Sequence, residues 1–279
     1  MKKTLLLILL LMGMTLVPSL EAQQIKVISL NIHSNSSPEK DGNNAWSLRK
    51  KAVIKMIESE SPDIIGVQEA LLDQLVDIDR TFRNKYRRIG VSRDNGITRG
   101  EHAAIFYDKT KLELASSGKT RWLSPWPQRV SKGWDAKGPR IVTIAHFRVK
   151  ETGREFYYFN THLEKQGTVA HRESIKTIAK LIKEIVPSNM PVIIGGDMNS
   201  PINIDEFLPL YDMNFESARD IAPRTDYRNT YNAFGDETGA MNDHFLVKNL
   251  YVLRFRTLIK KFGVPYISDH YPIMIMLDL

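Results

Sequence analysis

The sequence predicts an α/β protein, and three observations carry that expectation. Apolar runs rich in β-branched residues, Ile25–Ile32, Ile64–Val67 and Val192–Ile194, read as buried strands. Stretches with apolar residues at helical spacing separate them, as at Leu48, Ala52, Val53, Met56 and Ile57, and again at Ile175, Ile178, Ala179, Ile182 and Ile185. The third observation is a repeated order. Residues 25–69 run strand, polar terminus, helix, apolar strand, acid, and residues 156–199 repeat that run. Each unit reads as βαβ, with parallel strands whose carboxyl ends share one edge. That edge brings Asn31 to Glu69 and His162 to Asp197. Docking the halves with their edges aligned collects all four in one crevice, where ligands of α/β sheets bind.

The remaining elements follow in order. Residues 1–22 read as a secretory signal peptide: Lys2-Lys3, an apolar Thr4–Val17, and a cleavage site after Ala22. The apolar run is too short to span a membrane. A single domain is expected over 23–279, exported to the periplasm or the medium, monomeric, and with no membrane span once the signal is removed. It contains no cysteine, so packing must hold it together, as bound ligand or metal often does besides. Helices are expected over 46–58, from Leu71 to Phe82, and over 169–186. Further strands are expected at 88–91, 103–107, 111–116, 141–150, 156–160, 242–247, 252–259 and 273–277. Trp122, Trp126 and Trp134 fall in an irregular Pro/Gly-punctuated stretch, 121–140. Ordered loops of that length are usually functional or packed by their own aromatics. Residues 202–240 read as loop-rich.

The chain carries a formal charge of +7, of which the leader supplies +1 (Lys2 and Lys3 against Glu21), leaving about +6. An excess of that size favours anionic partners such as nucleic acid, phosphorylated small molecules or lipid headgroups. The cations are dispersed through 83–99, 121–140 and 248–261, which a solvated surface explains equally well.

Chemistry concentrates at Pro191–Ser200, P-V-I-I-G-G-D-M-N-S. The strand is expected to end at Gly195-Gly196, where the backbone can turn. Asp197 and Asn199 follow, an acid that can hold water and an amide that can donate to an oxyanion. In extended chain their spacing points both to one face. The bland reading is an Asx turn in which both bond their own backbone. At the other end, Ser268-Asp269-His270 precedes the last strand, an acid for metal and an imidazole for a phosphate oxygen.

Asn31, Gln68-Glu69, Asn160-Thr161-His162-Leu163, Gly196-Asp197-Met198-Asn199 and Ser268-Asp269-His270 stand in an order that resembles the endonuclease/exonuclease/phosphatase superfamily, the pancreatic deoxyribonuclease-like fold. The likeness covers essentially the whole mature chain. Gly100-Glu101, Gly133-Trp134-Asp135-Ala136 with Pro139-Arg140, and Arg172-Glu173-Ser174 look like an exported bacterial branch of unassigned substrate. The resemblance implies a four-layer α/β sandwich of two mixed sheets flanked by helices, with Mg²⁺ or Mn²⁺ and attack of water on phosphorus. Glu69 would be the principal metal ligand, helped by Asn31 and Asp269, and oxygen ligands suit Mg²⁺. Asp197 would orient or deprotonate the water, and Asn199 would bond the phosphoryl oxygen. His162 and His270 would stabilise developing charge, oriented by Glu101 and Asp243 respectively. Arg140, Asn160 and Trp134 are the substrate-binding candidates. The chain departs from the family pattern at Met198, where an aromatic is common, at Met241-Asn242 before Asp243, and at His33, where relatives carry Arg or an acid.

Zinc is a poor alternative, because the chain has no Cys and no H-E-x-x-H. A calcineurin-like phosphatase would need Gly-Asn-His and His-x-His elements, and neither occurs. His102, His146 and His171 read as ordinary strand or helix-surface histidines, and the methionines as core filler. Two functions compete. One is an exported metal-dependent phosphoester hydrolase, acting on nucleic acid or a small phosphorylated molecule. The other is a non-catalytic phosphate-binding or adhesion protein that retains the fold. No Arg/Lys-rich insertion with interleaved aromatics suggests a grip on a long strand.

Overall fold

The computed structural model describes residues 24–236 and 239–279, so the leader read at 1–22 lies outside them. In chain order the elements are β1 (Gln24–Asn31), α1 (Pro38–Asp41), α2 (Trp46–Glu60), β2 (Ile64–Ala70), α3 (Leu72–Phe82), β3 (Tyr86–Ile89), β4 (His102–Asp108) and β5 (Leu112–Trp122). Then come β6 (Ile141–Val149), β7 (Glu155–His162), α4 (Thr168–Ile185), β8 (Val192–Asp197), α5 (Leu208–Tyr211), β9 (Glu216–Ser217) and α6 (Ala218–Ile221). Strands β10 (Asp243–Lys248), β11 (Tyr251–Thr257) and β12 (Ile273–Asp278) finish the chain.

Two six-stranded sheets result, in the orders β11-β12-β1-β2-β4-β3 and β5-β6-β7-β8-β10-β9. Among the described strands β1–β2 and β7–β8 pair in parallel, each pair joined through a helical crossover, α2 or α4. Both sheets bury their facing sides in one core, with Ile25, Val27 and Ile105 opposite Phe147, Phe156, Tyr158 and Phe245. Outside it, α2 and α3 cover the first sheet through Val53, Met56, Leu75 and Ile78. Helix α4 covers the second through Ile175, Ile178 and Ile182. Three apolar layers between four structural ones make the expected sandwich. Helix α2 stops where Ser61 turns left-handed (φ 45°) and returns its N–H to the Ile57 carbonyl, just before Pro62.

Three local expectations change. Strand β8 runs through Gly195-Gly196 instead of turning there, because β7 and β10 pair with it on both sides. Gly196 is required by close approach: at φ 145° a Cβ would run into the Thr161 carbonyl. Strand β5 is longer than predicted and irregular, with register shifts near Ser116. Within 202–240, α5, β9 and α6 replace part of the expected loop, each too short to leave a periodic signal.

Candidate active site

Parallel pairing sets the site. Asn31 lies opposite Gln68 in the first sheet, and His162 opposite Asp197 in the second. Antiparallel β10 starts at the same rim, so Asp243 also faces Asp197. At Gln68-Glu69 the β2–β4 register slips, and Glu69 takes a left-handed backbone (φ 60°). That bulge carries the Glu69 carboxylate from the sheet to the rim.

At the rim the Asn31 amide joins the two halves. Asn31 Nδ2 donates to Glu69 Oε1 and to Asp197 Oδ2, both at 2.9 Å. Around the same Asp197 oxygen stand His162 Nε2 at 3.5 Å and His270 Nε2 at 3.8 Å, and His162 Nε2 is 4.0 Å from Glu69 Oε1. His270 Nδ1 is held by Asp243 Oδ2 at 2.7 Å. Asp243 is fixed in turn by its own N–H and that of Asn242 on Thr230 Oγ1. Asp197 divides its labour: Oδ1 accepts the Asn199 N–H at 2.8 Å, while Oδ2 faces the cleft. The Asx turn and the chemical role are therefore compatible.

Electrostatics separates the groups. Burial pushes Asp197 up to about 7; His270 opposes this and Asp243 adds to it. Burial works against charge on His270, yet Asp243 and Asp197 outweigh it and raise the imidazole to about 10, so it is a cation. His162 is driven well below its ordinary value by burial, then by Arg140, Arg93, His270 and Lys165, and stays neutral. Ligand atoms of Glu69, His162 and Asp197 lie within 4.8 Å of one another, as do those of Asp197, Asp243 and His270. Two carboxylates converging on a single amide hydrogen-bond donor fit a hard divalent cation at the first cluster.

Several expected site residues make contacts other than those their expected roles call for. Asn31 turns its nitrogen to the carboxylates, and its oxygen, the atom that would ligate, accepts the His33 N–H at 3.1 Å. In this arrangement its amide clamps the Glu69 and Asp197 carboxylates together. Asp269 belongs to neither cluster; its Oδ2 pairs with His33 Nδ1 at 3.1 Å. Glu101 bonds Arg93 Nη1 at 2.5 Å and not His162, although both line the pocket beside Glu69. Burial, with Glu69 nearby, pushes its carboxyl up to about 7 against the pull of Arg93. Asn160 is fully enclosed, accepting from Gln68 Nε2 and donating to the Val67 and Ala104 carbonyls. It bridges the sheets beside the bulge, satisfying those carbonyls instead of a substrate. Asn199 gives one amide hydrogen to the Leu163 carbonyl at 2.9 Å. Trp134 has a left-handed backbone (φ 47°) and is not among the residues lining the pocket. Arg140 does line it, with Nε held by the buried Glu164 at 3.1 Å. His171 is a core residue on the Met198 carbonyl, not a surface one.

Sequence reasoning missed Arg93, Glu164, Lys165 and Arg49. Arg93 sat within a dispersed basic tract, and Glu164-Lys165 directly follow the His162 motif. Lys165 Nζ lies 5.3 Å from the Tyr231 ring, which packs on His270.

A family model described as the Endonuclease/Exonuclease/phosphatase family matches residues 28–270. The chain belongs to that family. It is thereby a phosphoesterase of the endonuclease/exonuclease/phosphatase type. A family protein from Bacteroides vulgatus superposes with a TM-score of 0.85 at 32% identity, over 92% of this chain and 99% of that one. A mannosyl-6-phosphatase of Bacteroides thetaiotaomicron VPI-5482 gives 0.84 at 31% identity, over 91% and 100%. An uncharacterized protein of Acanthamoeba polyphaga mimivirus is 26% identical over 274 residues, covering 91% of this chain and 100% of its own. Among the described residues no helix is long and apolar enough to cross a membrane.

Proposed function

We propose that this protein is an exported, Mg²⁺- or Mn²⁺-dependent hydrolase that cleaves the P–O ester bond of a small phosphorylated molecule with activated water. The observation that carries the reading is the single oxygen, Asp197 Oδ2, surrounded by Asn31, His162 and His270. A divalent cation on Glu69, with Asp197 and His162 beside it, would polarise the phosphoryl group and neutralise its developing charge. Asp197, raised toward neutral pH, accepts a proton from the attacking water. The water oxygen bonds to phosphorus, the ester oxygen departs as the alcohol after taking a proton from solvent, and Asp197 returns its own proton to solvent. Cationic His270, steadied by Asp243, and neutral His162, donating an N–H, hold the charge that builds on the phosphoryl oxygens.

The likeness to a mannosyl-6-phosphatase at 31% identity supports a phosphorylated sugar or similar polar alcohol over a nucleic-acid strand. Residues 1–22 support export, and N-terminal sequencing of the mature protein would check cleavage after Ala22. The central test is a screen of phosphorylated compounds, including DNA, RNA, nucleotides, inositol phosphates and sugar phosphates, with each cation and with chelator. Turnover that requires the cation and drops by about two to four orders of magnitude in Asp197→Ala is expected. Unchanged turnover in that variant would remove Asp197 from the mechanism.

A further inference from the structure

Segment 228–232 reaches both members of the Asp243–His270 pair. Thr230, fully buried, accepts the N–H groups of Asn242 and Asp243 on its Oγ1, both at 3.0 Å. Its carbonyl accepts the Tyr271 N–H at 2.7 Å. Tyr231 bridges to His270 through the backbone and sets its ring centroid 5.0 Å from that of the imidazole. The segment is a bracket between the start of β10 and the approach to β12. Its anchor is Arg219 of α6, only 3% exposed. Nη1 of Arg219 donates to the Arg228 carbonyl at 3.1 Å and to Met241 Sδ at 2.9 Å, gripping the chain on both sides of the bracket. The guanidinium carbon lies 4.5 Å from the centroid of the Phe255 ring on β11. Asp226, Asp220 and Asp243 favour its charge from a distance, against burial. The Asp226 carboxylate is already occupied by the N–H and hydroxyl of Thr257. Nε and Nη2 of Arg219 are buried with no hydrogen-bond partner among the described residues. A buried guanidinium so incompletely paired adds little net stability, because desolvation offsets what its contacts return. Fold stability alone therefore does not account for an arginine here, and its grip on the bracket does.

We infer that Arg219 is a positioning residue that sets the Asp243–His270 geometry through the 228–232 bracket. The kinetic consequence rests on the phosphoester-hydrolase reading; the geometric one does not. Loss of Nη1 frees the Arg228 carbonyl and the Met241 side chain together. The Thr230 hydroxyl then shifts against Asn242 and Asp243, and the 2.7 Å bond from His270 Nδ1 to Asp243 Oδ2 is no longer held at its length. The imidazole turns with it, away from the phosphoryl oxygen it serves. Arg219 touches neither substrate nor metal ligands in this scheme and acts only through the bracket. A displacement of about 1 Å in a reacting group can lower the rate by about 10²-fold.

The experiment compares the metal-loaded full-length mature protein with Arg219→Met, Arg219→Lys and Thr230→Val. Each is measured for kcat and KM on an aryl phosphate, for its urea midpoint, and for the proton resonance of His270 Nδ1–H, assigned by its loss in His270→Gln. In Arg219→Met we expect kcat to fall by about 10- to 100-fold with KM within about twofold of the parent. Its urea midpoint should change little, while the Nδ1–H resonance moves. Arg219→Lys, which keeps one donor, should recover part of both, and Thr230→Val should move the same resonance from the other end of the bracket. A resonance that stays in place in a folded Arg219→Met would overturn the inference, even where kcat falls in step with lost stability. So would an unchanged kcat. If Arg219→Met does not fold, Arg219→Lys and Thr230→Val decide, and unmoved resonances in both would overturn it. If the parent hydrolyses no ester with any cation, the hydrolase reading fails instead, and the resonance still decides the bracket.

Discussion

Arg49 ties the active-site rim together, and removing its guanidinium should cost stability and turnover together. The side chain rises from α2 into a fully buried position between the Trp46 and Phe234 rings. It donates to four carbonyls: Asn44 at 2.5 Å, Ile267 at 2.7 Å, Ile32 at 2.8 Å and His33 at 3.1 Å. Methionine keeps much of the stem and supplies no donor. His33 O retains Gln74 Nε2 at 2.9 Å, and half-buried Asn44 can be hydrated. Ile32 and Ile267 are left with buried, unpaired carbonyls, at about 1–3 kcal/mol each. Burial alone draws Arg49 down to about 10, so relief of its desolvation offsets part of that loss. A net destabilisation of about 3 kcal/mol is expected for Arg49→Met, and a smaller one for Arg49→Lys, in urea unfolding followed by tryptophan fluorescence. Because Ile32 and Ile267 lie one residue from His33 and Ser268, kcat should drop more than KM rises. A change below about 0.5 kcal/mol would show that other groups satisfy those carbonyls, and would refute the argument.

Two other positions lead to separate tests. Asn31→Ala removes the donor shared by Glu69 and Asp197; an increase of about 10–100-fold in the divalent-cation concentration for half-maximal activity is expected, as for a lost partner of a metal ligand. An unchanged cation titration would exclude the clamp. Burial pushes His244 down to about 4, with its Nε2 on the Ser200 and Met241 carbonyls, so the folded chain binds its proton less readily than the unfolded chain. Its contribution is intact above about pH 6.5 and is lost as pH falls, by roughly 2–3 kcal/mol at pH 4.5. His244→Gln should therefore lose less stability than the parent between pH 7 and 4.5 in matched urea titrations. An equal loss would refute it.

The βαβ repeat made the parallel pairs and their shared rim legible, because periodicity changes sharply between the strands and α2 or α4. The meeting of the two rims at Asn31 and Asp197 was foreseen for the same reason. What escaped depended on which side of a backbone a side chain takes, and short motifs do not encode that. Asn160 sits in the most informative tripeptide, yet a bulge one sheet away claims its amide. Glu101 neighbours His162 in the pocket but answers to Arg93, a residue indistinguishable in sequence from the solvated arginines around it. Arg49 looked like one more cation on an amphipathic helix. Its burial is visible only once loops far apart in sequence close over it.

The split employment of the Asp197 carboxylate restricts what can ever occupy that position. An asparagine there would have to give its lone oxygen to the Asn199 N–H to keep the turn, and would then present its NH₂ to the NH₂ of Asn31. Two donors would face each other where an acceptor is needed. A glutamate keeps both oxygens but lengthens the reach by a methylene inside a site with no slack. Loop shape and the acceptor oxygen facing Asn31 are thus inherited as one trait, and altering either by a point change at this residue alters both.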